Sequence, residues 1–266
     1  QPIWPAGVMA VQTVEAAGTL AGEPVGEGGL RMVDACAVRP AAILTDWLAG
    51  AEVHSPQVAA LARAEGGWRL LDQAGAVLAE VDAVVVAAGW GAAELLAKHA
   101  AAPRLSPVRG QADWVEDGGA VRAVAWGGYV APTGAGLLYG ATHDRGQMDV
   151  TPRPADSVRN LETLRARLPA LADRVASAKV KRSRAAIRAT TPDRLPLAGG
   201  LDDGLYILGG LGSRGFCVAP LLGEHLAALI LNRPSPLPRD LAGRVSPRRS
   251  AVLANSLAPD APRREG

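Results

Sequence analysis

The segment that most constrains this chain is Leu205-Tyr206-Ile207-Leu208, which runs through Gly209-Gly210-Leu211-Gly212-Ser213-Arg214-Gly215 into an apolar stretch ending near Leu231. Four consecutive apolar residues suit a buried strand, and the longer apolar stretch behind the glycines suits a helix. Strand, glycine loop and helix in that order let a ligand approach bare backbone. The free amides of a helix's first turn then attract electron-rich or anionic groups. Arg214 adds a fixed positive charge at that mouth. A tight strand-to-helix turn with no ligand fits the same residues equally well, because the cluster carries no fixed fingerprint. A second run, Ala83-Val84-Val85-Val86-Ala87, reads as another buried strand of a mostly parallel sheet. It ends in Ala87-Ala88-Gly89, small residues of the kind a dinucleotide needs where it crosses strand ends, although an ordinary strand with a glycine exit has the same composition.

Around these two anchors the hydrophobic pattern places weaker elements. Residues 1–28 show no sustained period and read as short extended pieces joined by turns. A short strand is expected at 30–33 and a helix at 39–48, with Pro40 in its first turn. Short strands follow at 58–63, 68–72 and 77–80, then a helix at 91–99. Four or five antiparallel strands are expected between 104 and 140. Residues 157–168 form an amphipathic helix whose apolar positions are Val158, Leu161, Leu164 and Leu168. The stretch 179–190 is extended, and the Pro- and Arg-rich tail after Asn232 is irregular. The fold class is α/β (α+β overall), a nucleotide-type half interrupted by an antiparallel insertion.

Composition removes several alternatives. With 48% hydrophobic residues over 266 positions the chain can build one or two real cores. A net charge of +2 with 20% charged residues excludes a disordered acidic or polybasic chain. Two cysteines, Cys36 and Cys217, are too few for a disulfide scaffold and have no CxxC spacing. No apolar run approaches the ~18–20 residues a bilayer demands, and no secretory pattern opens the chain. The expectation is a soluble cytoplasmic protein with no membrane partner.

Individual polar residues carry two readings each. Arg188, flanked by apolar residues and followed by Thr190-Thr191-Pro192-Asp193, suits a bidentate grip on a carboxylate or a structural salt bridge to Asp193. His143 has no second His or Cys at ligand spacing, so no metal site is expected, and a structural role is its default. Cys217 at the helix start reads as a packed small residue. Gly-x-Ser-x-Gly is absent, which removes a hydrolase nucleophile elbow. Basic residues cluster at Lys179, Lys181, Arg182, Arg184 and Arg188, and again at Arg239, Arg244, Arg248 and Arg249. Either cluster is a phosphate-contacting surface or a solvated face.

Four motifs in order carry a resemblance: Gly128-Tyr129-Val130-Ala131-Pro132, Gly140-Ala141-Thr142-His143-Asp144-Arg145-Gly146, Arg188-Ala189-Thr190-Thr191-Pro192-Asp193-Arg194-Leu195-Pro196, and Gly209 through Leu222. Over residues 29–249 the chain resembles the D-amino-acid-oxidase-type FAD-dependent oxidoreductases. Within them it is most similar to the C-terminal oxidoreductase half of the bifunctional proteins that make 5-methylaminomethyl-2-thiouridine in tRNA. The resemblance implies a partial FAD-binding Rossmann-like sheet with an antiparallel substrate-domain insertion. Residues 51–91 and 185–250 would form the FAD-binding half and 92–184 the substrate domain. Residues 1–50 would be an incomplete N-terminal part and the start of the substrate domain, and 251–266 a tail.

It further implies FAD as cofactor, contacted by Val58, Ala88, Gly89, Gly210, Gly212, Ser213, Arg214, Gly215, Phe216, Cys217 and Val218. Arg188 and Tyr129 would anchor a carboxylate, with His143 and Arg214 lining the substrate side. The implied reaction is oxidative removal of the carboxymethyl group from carboxymethylaminomethyl-uridine at the tRNA wobble position. Implied partners are tRNA and a fused or separate methyltransferase domain. The family opens with a strand and a Gly-x-Gly-x-x-Gly turn for the FAD pyrophosphate. That unit is not found here: the chain starts at Gln1-Pro2-Ile3-Trp4, which resembles a later point, so a separate N-terminal FAD-binding segment is expected as a further partner. Two other readings stay open: a small-molecule glycine or D-amino-acid oxidase, and a non-catalytic fragment that keeps an RNA- or protein-binding surface.

Overall fold

In chain order the elements are β1 (Met9–Gln12), α1 (Val14–Ala21), β2 (Gly29–Met32), α2 (Pro40–Trp47), β3 (Ala60–Ala64), β4 (Gly67–Leu71) and β5 (Val77–Val81). Then come β6 (Val84–Val86), α3 (Gly91–Leu95), β7 (Ser106–Glu116), β8 (Val124–Ala125), β9 (Tyr129–Thr133), β10 (Gly136–Gly140) and β11 (Asp144–Arg145). The last are α4 (Pro154–Arg165), α5 (Pro169–Ser177), β12 (Lys181–Thr190), β13 (Leu197–Asp202), β14 (Leu205–Gly209), α6 (Gly215–Ile230) and α7 (Arg239–Val245). The computed structural model describes residue 5, residues 7–116 and residues 118–249. The expected 251–266 tail and the opening Gln1–Trp4 lie outside the described residues. The chain divides into two compact units, 1–53 with 109–187 and 54–108 with 188–266.

In the first unit β11, β7, β10, β9 and β8 are neighbours in that order, with β12 also on β7. The pairs β10–β7 and β10–β9 are antiparallel, with Leu138 opposite both Trp114 and Ala131. Val115, Val130, Leu137 and Tyr139 from the strands pack with Leu164, Leu168, Leu171 and Val175 from the helical segment. Burial of this apolar surface supplies the main stabilisation. The amphipathic helix is displaced from its expected position. Val158 is 55% exposed, whereas the buried positions of α4 are Asp156, Asn160 and Leu164, and Leu168 caps the next helix, α5.

Polar residues on α4 are buried because β7 presents polar partners. Arg109, with no exposed surface, donates to Asp156 Oδ2 at 2.6 Å, Gln111 Oε1 at 3.1 Å and the Thr151 carbonyl at 2.8 Å. Asp113 Oδ1 accepts from the hydroxyls of Ser157 and Ser183, each at 2.6 Å, and its Oδ2 accepts from Asn160 at 2.6 Å. Tyr139 beside this carboxylate is pushed up to about 12, first by burial and then by the Asp113 charge.

The N-terminal stretch is more ordered than its composition suggests. Thr13 caps α1 by accepting from the Ala16 amide, and Gly22 ends it in the left-handed conformation. β1 and β2 pair antiparallel around that helix, so the expectation of extended pieces alone is corrected. Helix α2 starts at Pro40 as predicted but buries none of its residues.

In the second unit β3, β4 and β5 form an antiparallel meander. A separate three-stranded sheet has the order β13-β14-β6. Strand β14 is buried on both faces. Leu205 and Ile207 join Trp68, Val86, Leu96 and Leu197, while Tyr206 and Leu208 pack on the side of Leu222 and Leu226 from α6. β14 and β6 are parallel, as expected of the two apolar runs, and β6 is an edge strand among the described residues. The tail after Asn232 holds the short helix α7, which corrects its irregular reading.

His225 of α6 is 3% exposed, with Nδ1 at 2.7 Å from the Ser235 hydroxyl. Burial lowers its pKa below the ordinary 6.5. The unfolded chain then holds a proton that the folded chain resists, so stability falls as pH drops through about 6.5 and stops falling below the folded pKa. Denaturant midpoints measured from pH 7.5 to 5.5 should therefore decline in the unaltered protein and decline less in His225→Gln. Equal slopes would remove His225 as the cause.

Candidate functional site

Because β6 and β14 run parallel, with Val84 opposite Leu205 and Val86 opposite Ile207, the chain leaves both strands at the same end of the sheet. Ala88 and Gly89, both exposed, lie at that end together with the loop Gly209–Gly215. Carboxyl ends of neighbouring parallel strands are where open α/β sheets bind ligands. Gly210 has φ +62°, and a Cβ there would stand 2.7 Å from Thr191 Cγ2, so the loop passes where a side chain would not fit. Gly212, at φ +56°, donates its amide to the Ala189 carbonyl at 3.0 Å, and Leu211 bridges Thr190.

That hydrogen bond seats the end of β12 beside the glycine loop. Ala189 is buried, and alternation turns Arg188 and Thr190 to the other side of the strand. Arg188 is half-buried there. Its proposed salt-bridge partner is otherwise engaged: Asp193 pairs with Arg249, Nε to Oδ2 at 2.6 Å and Nη2 to Oδ1 at 2.8 Å. Hydrogen bonding from Arg249, ahead of the Leu195 amide, holds the Asp193 carboxyl well below the usual carboxylate range. Arg249 also donates to the Leu195 and Pro196 carbonyls. It is buried, so it is withdrawn from the second basic cluster, and Arg248 is likewise turned onto the Leu201 carbonyl.

Helix α6 opens behind the glycines with no side-chain cap at Arg214. The Cys217 and Val218 amides reach the Arg214 carbonyl. The Gly215 and Phe216 amides, at the very start, have no intrahelical acceptor to reach. This mouth is open: Ser213 and Cys217 are exposed and Phe216 is 46% exposed. Cys217 is therefore not the packed residue that was expected. Arg214 donates Nη2 to the Arg194 carbonyl at 2.9 Å, bracing the 191–195 turn against the helix start.

Two features of this end were not read from the sequence. Gly210, Gly212 and Gly215 satisfy Gly-x-Gly-x-x-Gly between a strand and a helix, far from the opening unit where the family carries it. The statement that no such motif occurs is thus corrected, and the spacing alone could have found it. The second is Trp90, directly after Gly89, whose buried Nε1 has no hydrogen-bond partner. A buried donor without an acceptor is costly, and a ligand acceptor at the strand end would relieve it.

Not all predicted residues gather here. Val58 is half-buried just ahead of β3, where the neighbouring Ala59 amide donates to Leu71 of the meander. Tyr129 and His143 belong to the other unit. Tyr129 opens β9 opposite Gly140 and is half-buried, while His143 is exposed just before β11. Among the described residues, no group of three or more His, Cys, Asp or Glu could hold a metal ion, and no helix is long and apolar enough to cross a membrane.

The architecture recurs in solved oxidoreductases. Glycine oxidase from Geobacillus kaustophilus aligns with a TM-score of 0.69 and 24% identity, over 86% of this chain and 65% of that one. L-proline dehydrogenase from P. horikoshii aligns with a TM-score of 0.73 and 19% identity, over 92% of this chain and 70% of that one. These likenesses establish the fold. The chain belongs to the FAD dependent oxidoreductase (DAO) family, whose profile matches residues 5–229. It is 51% identical over 253 residues to the tRNA 5-methylaminomethyl-2-thiouridine biosynthesis bifunctional protein MnmC of Caulobacter sp. (strain K31), covering 94% of this chain and 41% of that protein. The chain thus spans about two fifths of the length of the curated relatives it matches.

The family's cofactor fits what the second unit offers. A glycine-rich loop, uncapped amides at the start of α6 and an orphaned indole donor at the same sheet end suit the electron-rich edge of FAD.

Proposed function

We propose that this chain is the oxidoreductase portion of a tRNA-modifying enzyme, which removes the carboxymethyl group from carboxymethylaminomethyl-uridine at the wobble position. The observation that carries the chemistry is the Gly212 amide bonded to the Ala189 carbonyl, which holds Arg188 beside the glycine loop. The 51% identity to a protein named for tRNA modification supports the substrate. Residues 51–91 and 185–250 would serve FAD and residues 92–184 the substrate.

Bound FAD would supply the two-electron acceptor for a hydride leaving the carbon between the amine nitrogen and the carboxylate. Arg188 grips that carboxylate as a fork, fixing which carbon faces the acceptor, and positioning of this kind carries much of a rate enhancement. Arg214 lines the substrate side, and the family pattern makes Tyr129 and His143 of the first unit candidate substrate contacts. The amine, bound neutral, gives its remaining proton to solvent. Water then adds to the carbon–nitrogen double bond, releasing glyoxylate and leaving the aminomethyl group on the base. Gly210, Gly212 and the amides of Gly215 and Phe216 would hold the electron-rich cofactor edge, with Ala88, Gly89, Ser213, Cys217, Val218 and Val58 as its remaining contacts. Such a reaction on tRNA belongs in the cytoplasm, beside a methyltransferase domain that consumes the aminomethyl product.

The test is to add FAD to the purified chain, follow flavin absorbance, and supply tRNA bearing the carboxymethylaminomethyl group. Glyoxylate and the aminomethyl nucleoside are the expected products. Turnover of glycine or D-amino acids with none on tRNA would transfer the reading to a small-molecule oxidase. Salt-dependent tRNA binding without flavin uptake would reduce the chain to a binding surface.

A further inference from the structure

We infer that the side of the β7–β12 strand pair turned away from α4 is a docking platform for a single-stranded RNA loop, with Trp114 as its stacking surface and Arg182, Arg184 and Arg39 as its phosphate contacts. The inference deepens the tRNA reading above and rests on it.

The side is fixed by hydrogen bonds. Asp113 of β7 and Ser183 of β12 are bonded to each other and, through Ser157, to α4. Strand alternation then turns Trp114, Arg182 and Arg184 to the opposite side. Trp114 is held in place by donating Nε1 to Thr133 Oγ1 at 3.0 Å. The Arg182 guanidinium carbon stands 5.4 Å from the Trp114 ring centroid. This pair offers an aromatic face and a guanidinium plane, the two surfaces on which unstacked bases are held. Arg39 reaches the β9–β10 turn that adjoins Thr133: its Nη2 is 3.2 Å from where a Cβ on Gly134 would stand.

Charge favours an RNA occupant. Arg39, Arg182 and Arg184 are exposed. Glu116, half-buried two residues beyond Trp114, is the acidic side chain on that side of β7. Three guanidinium groups against one carboxylate leave the platform positive. An aromatic surface framed by cations recognises a base and its phosphates together, which a uniformly basic patch does not.

The experiment measures fluorescence anisotropy of a labelled anticodon stem–loop RNA with the full chain, between about 50 and 200 mM salt. Trp114→Ala should weaken binding on the order of tenfold, and Trp114→Phe should restore most of it. Arg182→Glu should weaken binding by a similar factor and lower the salt slope by about one. Arg184→Gln tests the same surface should Trp114→Ala fail to fold, and unfolding midpoints of all variants identify that case. If the unaltered chain binds RNA and none of these changes matters, the platform is wrong while the tRNA reading stands. If the unaltered chain binds no RNA, the tRNA reading itself falls. Displacement of the RNA by polyglutamate as effectively as by unlabelled RNA would overturn the platform in favour of an acidic protein ligand.

Discussion

Arg109→Met is expected to lower stability by about 3–5 kcal/mol, the range for removing one partner of a buried ion pair. Arg109 is wholly buried and donates to the Asp156 carboxylate, the Gln111 side chain and the Asp149 and Thr151 carbonyls. Methionine fills similar volume but leaves those acceptors without their donor. Asp156 keeps only Arg159, at 3.0 Å, so the lower part of the range applies if that residue swings further in. Replacing Arg109 and Asp156 together by Met and Leu should recover part of the loss, since an apolar pair needs no counter-charge. Urea midpoints followed by circular dichroism decide the matter. A change below 1 kcal/mol for Arg109→Met would mean water satisfies the site.

The second large effect concerns chemistry. If Arg188 grips the substrate carboxylate as proposed, Arg188→Leu should reduce kcat/KM on the modified tRNA by ~10²–10³-fold, because two charge-assisted hydrogen bonds would be lost together. Flavin uptake should be largely kept, since the glycine loop is bonded to the backbone of Ala189. Arg188→Lys restores charge without the planar fork, so it should recover only part of the activity. A fall mainly in kcat would assign Arg188 to orientation, and a rise mainly in KM to ground-state binding. Simultaneous loss of flavin uptake would show that the residue supports the loop instead.

The two parallel strands were legible because uninterrupted apolar residues have few other uses. Val84–Val86 and Leu205–Gly209 lie where the runs lie. Strand β13 was not legible: Leu-Ala-Gly-Gly-Leu-Asp carries too few β-branched residues to announce itself, and its pairing with β14 supplies what propensity lacks. Helix α5 hid behind Pro169, which opens it although proline more often marks a stop. The largest misreading came from polarity. Arg109, Gln111 and Asp113 alternate along β7 like a solvated face, and Asp156 and Asn160 lie one helical turn apart like an outer one. They are buried against each other beside Leu164, while of the expected apolar positions Leu164 and Leu168 are buried, Leu161 packs on the core and Val158 is exposed. Of the candidate site, the glycine loop and Arg188 were readable from residue type and order. The unpartnered Trp90 donor and the Asp193–Arg249 pair were not, because both depend on what the folded chain brings together.

The Asp193–Arg249 pair gives one remote position a hold on the mouth of α6. Arg249 steadies Asp193 from 56 positions away, the Arg194 carbonyl beside it receives Arg214, and Arg214 begins the helix. A lesion at Arg249 would thus travel two handshakes to the helix mouth, and a random screen for weakened flavin retention should recover it although it lies outside the proposed flavin contacts.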